Sequence, residues 1–153
     1  MALENPPGSA FLLAAVGAHA AARFAQRVAD LDLTPPQVGL LGLIAASPGQ
    51  SQQAIAQVLG MPPSRLVGLV DALADRGLVE RRRNSTDRRL HALHITDEGE
   101  AMLVRVGKVG REHDDALCGS LDAAERETLR DLLSRISADQ GLRPGIHPGY
   151  RNV

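Results

Sequence analysis

Tryptophan is absent from this chain, and Phe11, Phe24 and Tyr150 are its only aromatic residues. Three scattered rings cannot build the stacked platform that holds single-stranded bases, so that mode of nucleic-acid binding is excluded. Cysteine is nearly absent too. The lone Cys118 excludes an internal disulfide framework and fits a reducing, cytoplasmic setting. No apolar run approaches the ~20 residues that cross a bilayer as a helix. Met1 to Gly8 has no basic stretch ahead of an apolar one, so neither a membrane partner nor a secretory signal is expected. A formal charge of −1 over 153 residues argues, at first sight, against a polyanionic partner. No nucleophile elbow, phosphate loop or pair of catalytic carboxylates occurs, so neither enzymatic activity nor a cofactor is expected.

The small total conceals an uneven distribution. Residues 61–95 hold seven arginines against Asp71, Asp75, Glu80 and Asp87, whereas residues 96–142 hold six cations against eleven anions. Five arginines (81, 82, 83, 88 and 89) and a single aspartate fall between Arg81 and Arg89. A basic spike on an acidic body is either a solvated charged loop or an electrostatic footprint for an anionic ligand, and its surroundings decide which.

Pro6-Pro7-Gly8 breaks the chain, and Ser9 is the expected N-cap of a helix to about Leu31. Leu12, Val16, Ala20, Phe24 and Val28 form one apolar stripe on it at four-residue spacing. Thr34 with Pro35 opens a second helix bearing Val38, Leu40, Leu41, Leu43 and Ile44. Ser51 opens a short third helix closed by Gly60, and Pro63 opens a fourth, running to about Arg76 and closed by Gly77. The period then changes. Leu78–Arg81 and Leu90–Ile95 read as short strands around a turn-forming loop, Asn84 to Arg89. Thr96 caps a long helix to about Cys118, with Asp97, Glu98 and Glu100 in its first turn. Asp122 and Glu125 form a capping-box pair for a last helix carrying Leu129, Leu132, Leu133 and Ile136. Residues 143–153 are rich in proline and glycine and read as an extended tail.

The expected fold is therefore mainly α with a small β-hairpin wing. It divides into an N-terminal dimerisation helix (1–33), a winged helix-turn-helix core (34–96), C-terminal dimerisation helices (97–142) and the tail (143–153). Such a core suits duplex DNA. The fourth helix can enter the major groove N-terminus first, presenting Ser64 and Arg65 to base edges or phosphates. Unpaired N–H groups at that helix start can also meet a phosphate. The hairpin carries a basic tip to the neighbouring minor groove, whose negative potential attracts arginine. Asp87 is expected to hold the Arg89 guanidinium in place. Of Arg81, Arg82 and Arg83, alternation along a strand turns one or two toward DNA. Gln52 and Gln53 read either as phosphate contacts or as a solvated polar turn. Helices 9–31, 97–118 and 123–139 carry more apolar stripe than such a core can cover, which calls for a second copy of the chain.

The segments Leu78-Val79-Glu80-Arg81, Asn84 to Arg89 with Asp87-Arg88-Arg89, and Leu93-His94-Ile95-Thr96-Asp97-Glu98-Gly99 resemble the wing signature of the MarR family. The matching helix order covers residues 9–140. The resemblance implies a homodimeric winged-helix transcriptional regulator, a repressor being the expected outcome, that binds a pseudo-palindromic duplex operator. Its minor-groove arginine would fall on Arg89, with Asp87 as anchor and Arg82 and Arg88 beside it. The major-groove positions would fall on Ser64, Arg65, Val67 and Gly68, supported by Gln52. Many relatives carry Thr or Ser and Arg where this chain has Val67 and Gly68, and an N-cap Ser where it has Pro62. The resemblance also allows a small, often aromatic or phenolic, effector between the dimer helices and the core.

Two other readings compete: a winged helix used as a protein-interaction module without specific DNA binding, and a redox sensor built on Cys118. Leu117 and Leu121 flank Cys118, and nothing cationic follows it closely, which favours a buried structural thiol. His19, His91, His94, His113 and His147 contain no pair at i, i+4 spacing, so no metal site is expected. His19 reads as a core or interface residue, and His113 as part of a solvated helical turn.

Overall fold

The computed structural model describes residues 6–87, 89 and 91–151. Among them the element order is α1 (Ser9–Ala29), α2 (Pro35–Ala46), α3 (Gln52–Leu59), α4 (Pro63–Asp75), β1 (Val79–Arg83), β2 (His91–Ile95), α5 (Asp97–Leu117), α6 (Ala123–Asp139) and a short 3₁₀ turn, Pro148–Arg151. This is the mainly helical fold with a two-stranded antiparallel wing. Ser9 is the first helical residue, not the cap. Gly8 stands at the cap without a side-chain bond, and α1 ends at Ala29, two residues before Leu31. The first strand begins one residue later than Leu78 and continues to Arg83. The expected start of the second strand, Leu90, lies outside the described residues.

Local chemistry sets the remaining boundaries. Gln37 Oε1 accepts from the Thr34 N–H at 2.8 Å, and Ser51 Oγ accepts from the Ala54 N–H at 3.1 Å. Gly60 (φ 64°) and Gly77 (φ 70°) take the left-handed conformation that stops α3 and α4. After α4 the Leu78 N–H returns to the Leu73 carbonyl and the Gly77 N–H to Ala74, a Schellman closure that turns the chain directly into β1. Asp122 and Glu125 satisfy each other's N–H groups at 2.9 Å at the start of α6.

The core is aliphatic. Leu40, Leu41 and Ile44 of α2, Ile55 and Leu59 of α3, Leu66, Val70 and Leu73 of α4, and Leu93 of β2 are fully buried. The hairpin register pairs Val79 with Ile95 and Arg83 with His91. Residues 49–51 lengthen the small sheet: the Gly49 N–H bonds the Leu93 carbonyl, and the Leu93 N–H bonds the Gln50 carbonyl. The wing is thereby fastened to the α2–α3 connection.

Thr96 explains the Ile95-Thr96-Asp97-Glu98-Gly99 run. Its Oγ1 accepts from the Gly99 N–H at 3.1 Å and donates to the Gly77 carbonyl at 2.5 Å, clamping α5 to the end of α4. Gly99 lies so close to the Leu78 carbonyl and the Ile95 side chain that a Cβ there would collide with both.

The α1 stripe divides in two. Val28 is fully buried and Phe24 packs against the core, whereas Leu12 and Val16 are about half exposed, with Phe11 and Leu13 beside them. Helix α6 buries none of its residues, and Leu129, Leu132, Leu133 and Ile136 remain open.

The tail is not extended. It returns to the core: Arg143 Nη1 donates to the Val58 carbonyl at 3.0 Å, Ile146 packs on the core cluster, and the Tyr150 ring lies over Gly39 of α2. Pro/Gly content predicts irregular backbone correctly, but it carries no information about where that backbone lands.

Candidate nucleic-acid interface

Helix α4 buries Leu66, Val70 and Leu73 and turns Ser64, Val67, Gly68 and Asp71 outward. Those four positions follow i, i+3, i+4, i+7 and form one stripe. The start of α4 has few free donors. Pro62 and Pro63 have no N–H, and the Arg65 and Leu66 N–H groups both bond the Pro62 carbonyl. Ser64 therefore holds the main-chain donor nearest the open end, where several were expected. Arg65 is half-buried and interacts within the protein.

Gln52 does not point to an open surface. Its Oε1 accepts from Arg81 Nε at 2.5 Å, while Arg81 Nη2 donates to Asp71 Oδ1 at 2.6 Å. One guanidinium thus joins α3, α4 and β1. Sequence reading missed this triad because its members lie 10 and 29 residues from the arginine. The bridge also neutralises Asp71, a carboxylate that would otherwise repel phosphate from the outward stripe.

Arg82 and Arg83 are exposed on the hairpin, Arg82 forming an ion pair with Glu80 on the same strand face. Such a surface pair is worth at most about 1 kcal/mol, so Arg82 can exchange Glu80 for phosphate at small cost. The loop beyond β1 is built from two side-chain turns. Asn84 Oδ1 accepts from the Thr86 N–H at 3.0 Å and from Thr86 Oγ1 at 2.8 Å. Asp87 Oδ1 accepts from the Arg89 main-chain N–H at 2.9 Å. The carboxylate therefore holds the backbone at Arg89, where a contact with the guanidinium was expected. The Arg89 side chain itself is exposed at the tip. Arg88, expected to face DNA beside it, lies outside the described residues.

A second feature lies between α1 and α5. An open cleft of about 510 Å³ is lined by Ala15, Val16, Ala116 and Leu117 together with His19, Arg23, Arg27 and His113. His113 is half-buried, its ring 5.6 Å from that of Phe24, so it is not a solvated turn. Burial, followed by the nearby Arg27 charge, lowers its pKa below the ordinary 6.5. Arg27 Nε is buried without a hydrogen-bond partner among the described residues. Cys118 sits at the C-cap of α5, where its N–H bonds the Asp114 carbonyl at 2.9 Å, and it is half-buried rather than enclosed. Among the described residues no helix is long and apolar enough to cross a membrane.

Comparison with known proteins bears on the first of these features. Residues 31–90 match the profile of the MarR family. The chain is 36% identical over 123 residues to a protein of Thauera aromatica named for transcriptional regulation of the hcr operon, covering 80% of this chain and 74% of that protein. Among solved structures, a transcriptional repressor, CouR, bound to a 23-mer DNA duplex is 36% identical (TM-score 0.74, covering 85% of this chain and 92% of that one). A crystal structure of MarR superposes with a TM-score of 0.78 at 22% identity, covering 92% of this chain and 96% of that one, and shows the shared fold.

Proposed function

Because the chain belongs to the MarR family of transcriptional regulators, we propose that it is a cytoplasmic, homodimeric repressor of a pseudo-palindromic duplex operator. Each protomer lays α4 in a major groove through Ser64, Arg65, Val67 and Gly68, and its wing carries Arg89 to the flanking minor groove. Arg82 and Arg88 add phosphate contacts. Gln52 acts indirectly, by holding Arg81. The observation that carries this reading is the wing tip, where an exposed Arg89 is fixed through its backbone by Asp87.

Dimerisation is supported by the apolar surface left open on two helices. Phe11, Leu12, Leu13 and Val16 of α1 and Leu129, Leu132, Leu133 and Ile136 of α6 are each more than a third exposed, a concentration that calls for cover. Across a two-fold axis the two α4 helices would sit about 34 Å apart, one turn of DNA. The α1–α5 cleft, lined by apolar side chains and by Arg23 and Arg27, is the proposed seat of a small aromatic effector. Its occupant would release DNA by binding more tightly to a spacing of the recognition helices that does not match successive grooves.

Fluorescence anisotropy on a duplex selected from random sequence tests this reading. Arg89→Ala should weaken binding about tenfold and lower the slope of log affinity against log salt by about one contact. An affinity unchanged within about twofold would remove the wing from the interface. A monomer by light scattering at micromolar concentration would remove the dimer.

A further inference from the structure

Resting on the DNA-binding reading above, we infer that Val67 reads the 5-methyl group of a thymine in the major groove. The stripe that α4 turns outward holds four residues, and three of them have little to offer a base at its centre. Ser64 stands at the helix start, with a short hydroxyl. Asp71 is held by Arg81 at 2.6 Å. Gly68 has no side chain, and a Cβ built there would meet nothing within 4 Å, so packing in the protein does not require the glycine. What a glycine provides at that place is a bare helix surface that can approach the groove floor closely. Beside it stands Val67, 39% exposed, the large apolar side chain on this stripe.

The chemistry of the groove then selects the base. Each base pair shows a different edge there, and among the four bases thymine alone presents a methyl group. A cytosine in its place has only a C5–H where thymine carries the methyl, so the apolar contact is lost, while the polar group at C4 finds no partner in valine with either base. Val67 thus favours thymine by the methyl that it covers. A single exposed valine is commonplace on a protein surface. This one stands mid-stripe on the helix that enters the groove, between two residues without bulk.

The test uses uracil, which differs from thymine only by the missing methyl. The purified full-length protein first selects a duplex from a random-sequence pool, and each thymine of one half-site is then replaced by uracil in turn. At one or two positions the replacement should weaken the wild type about fourfold, the worth of one buried methyl. Val67→Ala should bind the thymine duplex more weakly by a similar factor and be indifferent to uracil at those positions. Because Val67 is exposed, this variant keeps its fold, which its melting curve verifies. The inference is overturned if no uracil changes wild-type affinity beyond about 1.5-fold. Equal sensitivity in Val67→Ala would overturn it too. Binding that is tight and sequence-selective yet blind to uracil defeats only the role of Val67. If no sequence is enriched at all, the DNA-binding reading fails and the inference falls with it.

Discussion

Arg76 and Asp32 are 44 residues apart, yet Arg76 Nη1 donates to the Asp32 carbonyl at 2.5 Å while Nη2 reaches the Leu31 carbonyl at 2.9 Å. The end of α4 is thereby tied to the corner where α1 turns toward α2. Asp32 has a φ of 53°, a left-handed conformation that costs a non-glycine residue about 1 kcal/mol. A guanidinium is well placed there, because the corner follows directly on the C-terminal end of α1, where the helix dipole is negative.

Replacing Arg76 should therefore loosen this corner. Arg76→Ala is expected to lower unfolding stability by roughly 1 kcal/mol, the bonds being exposed and partly replaceable by water. Arg76→Lys should restore less than half of that, since an ammonium cannot serve two carbonyls as a planar fork does. Urea denaturation at one protein concentration checks both variants. An unmoved midpoint in Arg76→Ala would deny the tie any weight.

At the wing tip, charge and geometry can be separated. Asp87 works through an oxygen that accepts from the Arg89 N–H, and asparagine has such an oxygen as well. Asp87→Asn should keep the turn and remove a negative charge near phosphate, leaving DNA affinity equal or up to about threefold tighter. Asp87→Ala loses the turn and should bind about three- to tenfold more weakly. Were the carboxylate's charge the important feature, the asparagine variant would fall with the alanine one.

Two glycines should respond in opposite directions to the same substitution. At Gly99 an added methyl collides with the Leu78 main chain and Ile95, so Gly99→Ala should cost about 2 kcal/mol or more. Gly42 lies within α2 and a Cβ there meets nothing within 4 Å. Gly42→Ala should thus add roughly 0.5–1 kcal/mol through helix propensity alone. Thermal or urea unfolding of the pair provides the comparison, and a neutral Gly99→Ala would contradict the close approach of α5 to the end of α4.

Features encoded over three or four residues are legible in the amino-acid sequence. Thr34, Ser51, the Asp122–Glu125 pair and the stop glycines Gly60 and Gly77 each act on their own helix end, and all stand where the pattern places them. Contacts between elements are not legible in this way. Nothing near Gln52 announces Arg81, and nothing near Gly39 announces Tyr150. Periodicity identifies the α1 stripe as apolar but cannot say that Val28 meets this chain's own core while Leu12 and Val16 stay open. Apolar pattern specifies burial, not the molecule that provides it.

The tail allows a clean spectroscopic test, because Tyr150 is the one tyrosine of a chain without tryptophan. Burial against α2 raises the Tyr150 pKa above the ordinary 10.0, since the charged phenolate is poorly solvated there. A raised folded-state pKa means that docking gains its full stability below pH 10 and loses it as pH climbs through the raised value. Titration by tyrosinate absorbance should show a midpoint above 10.0 in the wild type. At Gly39 a Cβ would stand 2.5 Å from Tyr150 Cε2, so Gly39→Ala should displace the ring and return the midpoint toward the ordinary value. Helix α2 itself gains from that alanine, so a fall of the midpoint without loss of helical signal isolates undocking from unfolding. A wild-type midpoint at the ordinary value, or one that Gly39→Ala leaves in place, would mean that the ring does not rest on α2 in solution.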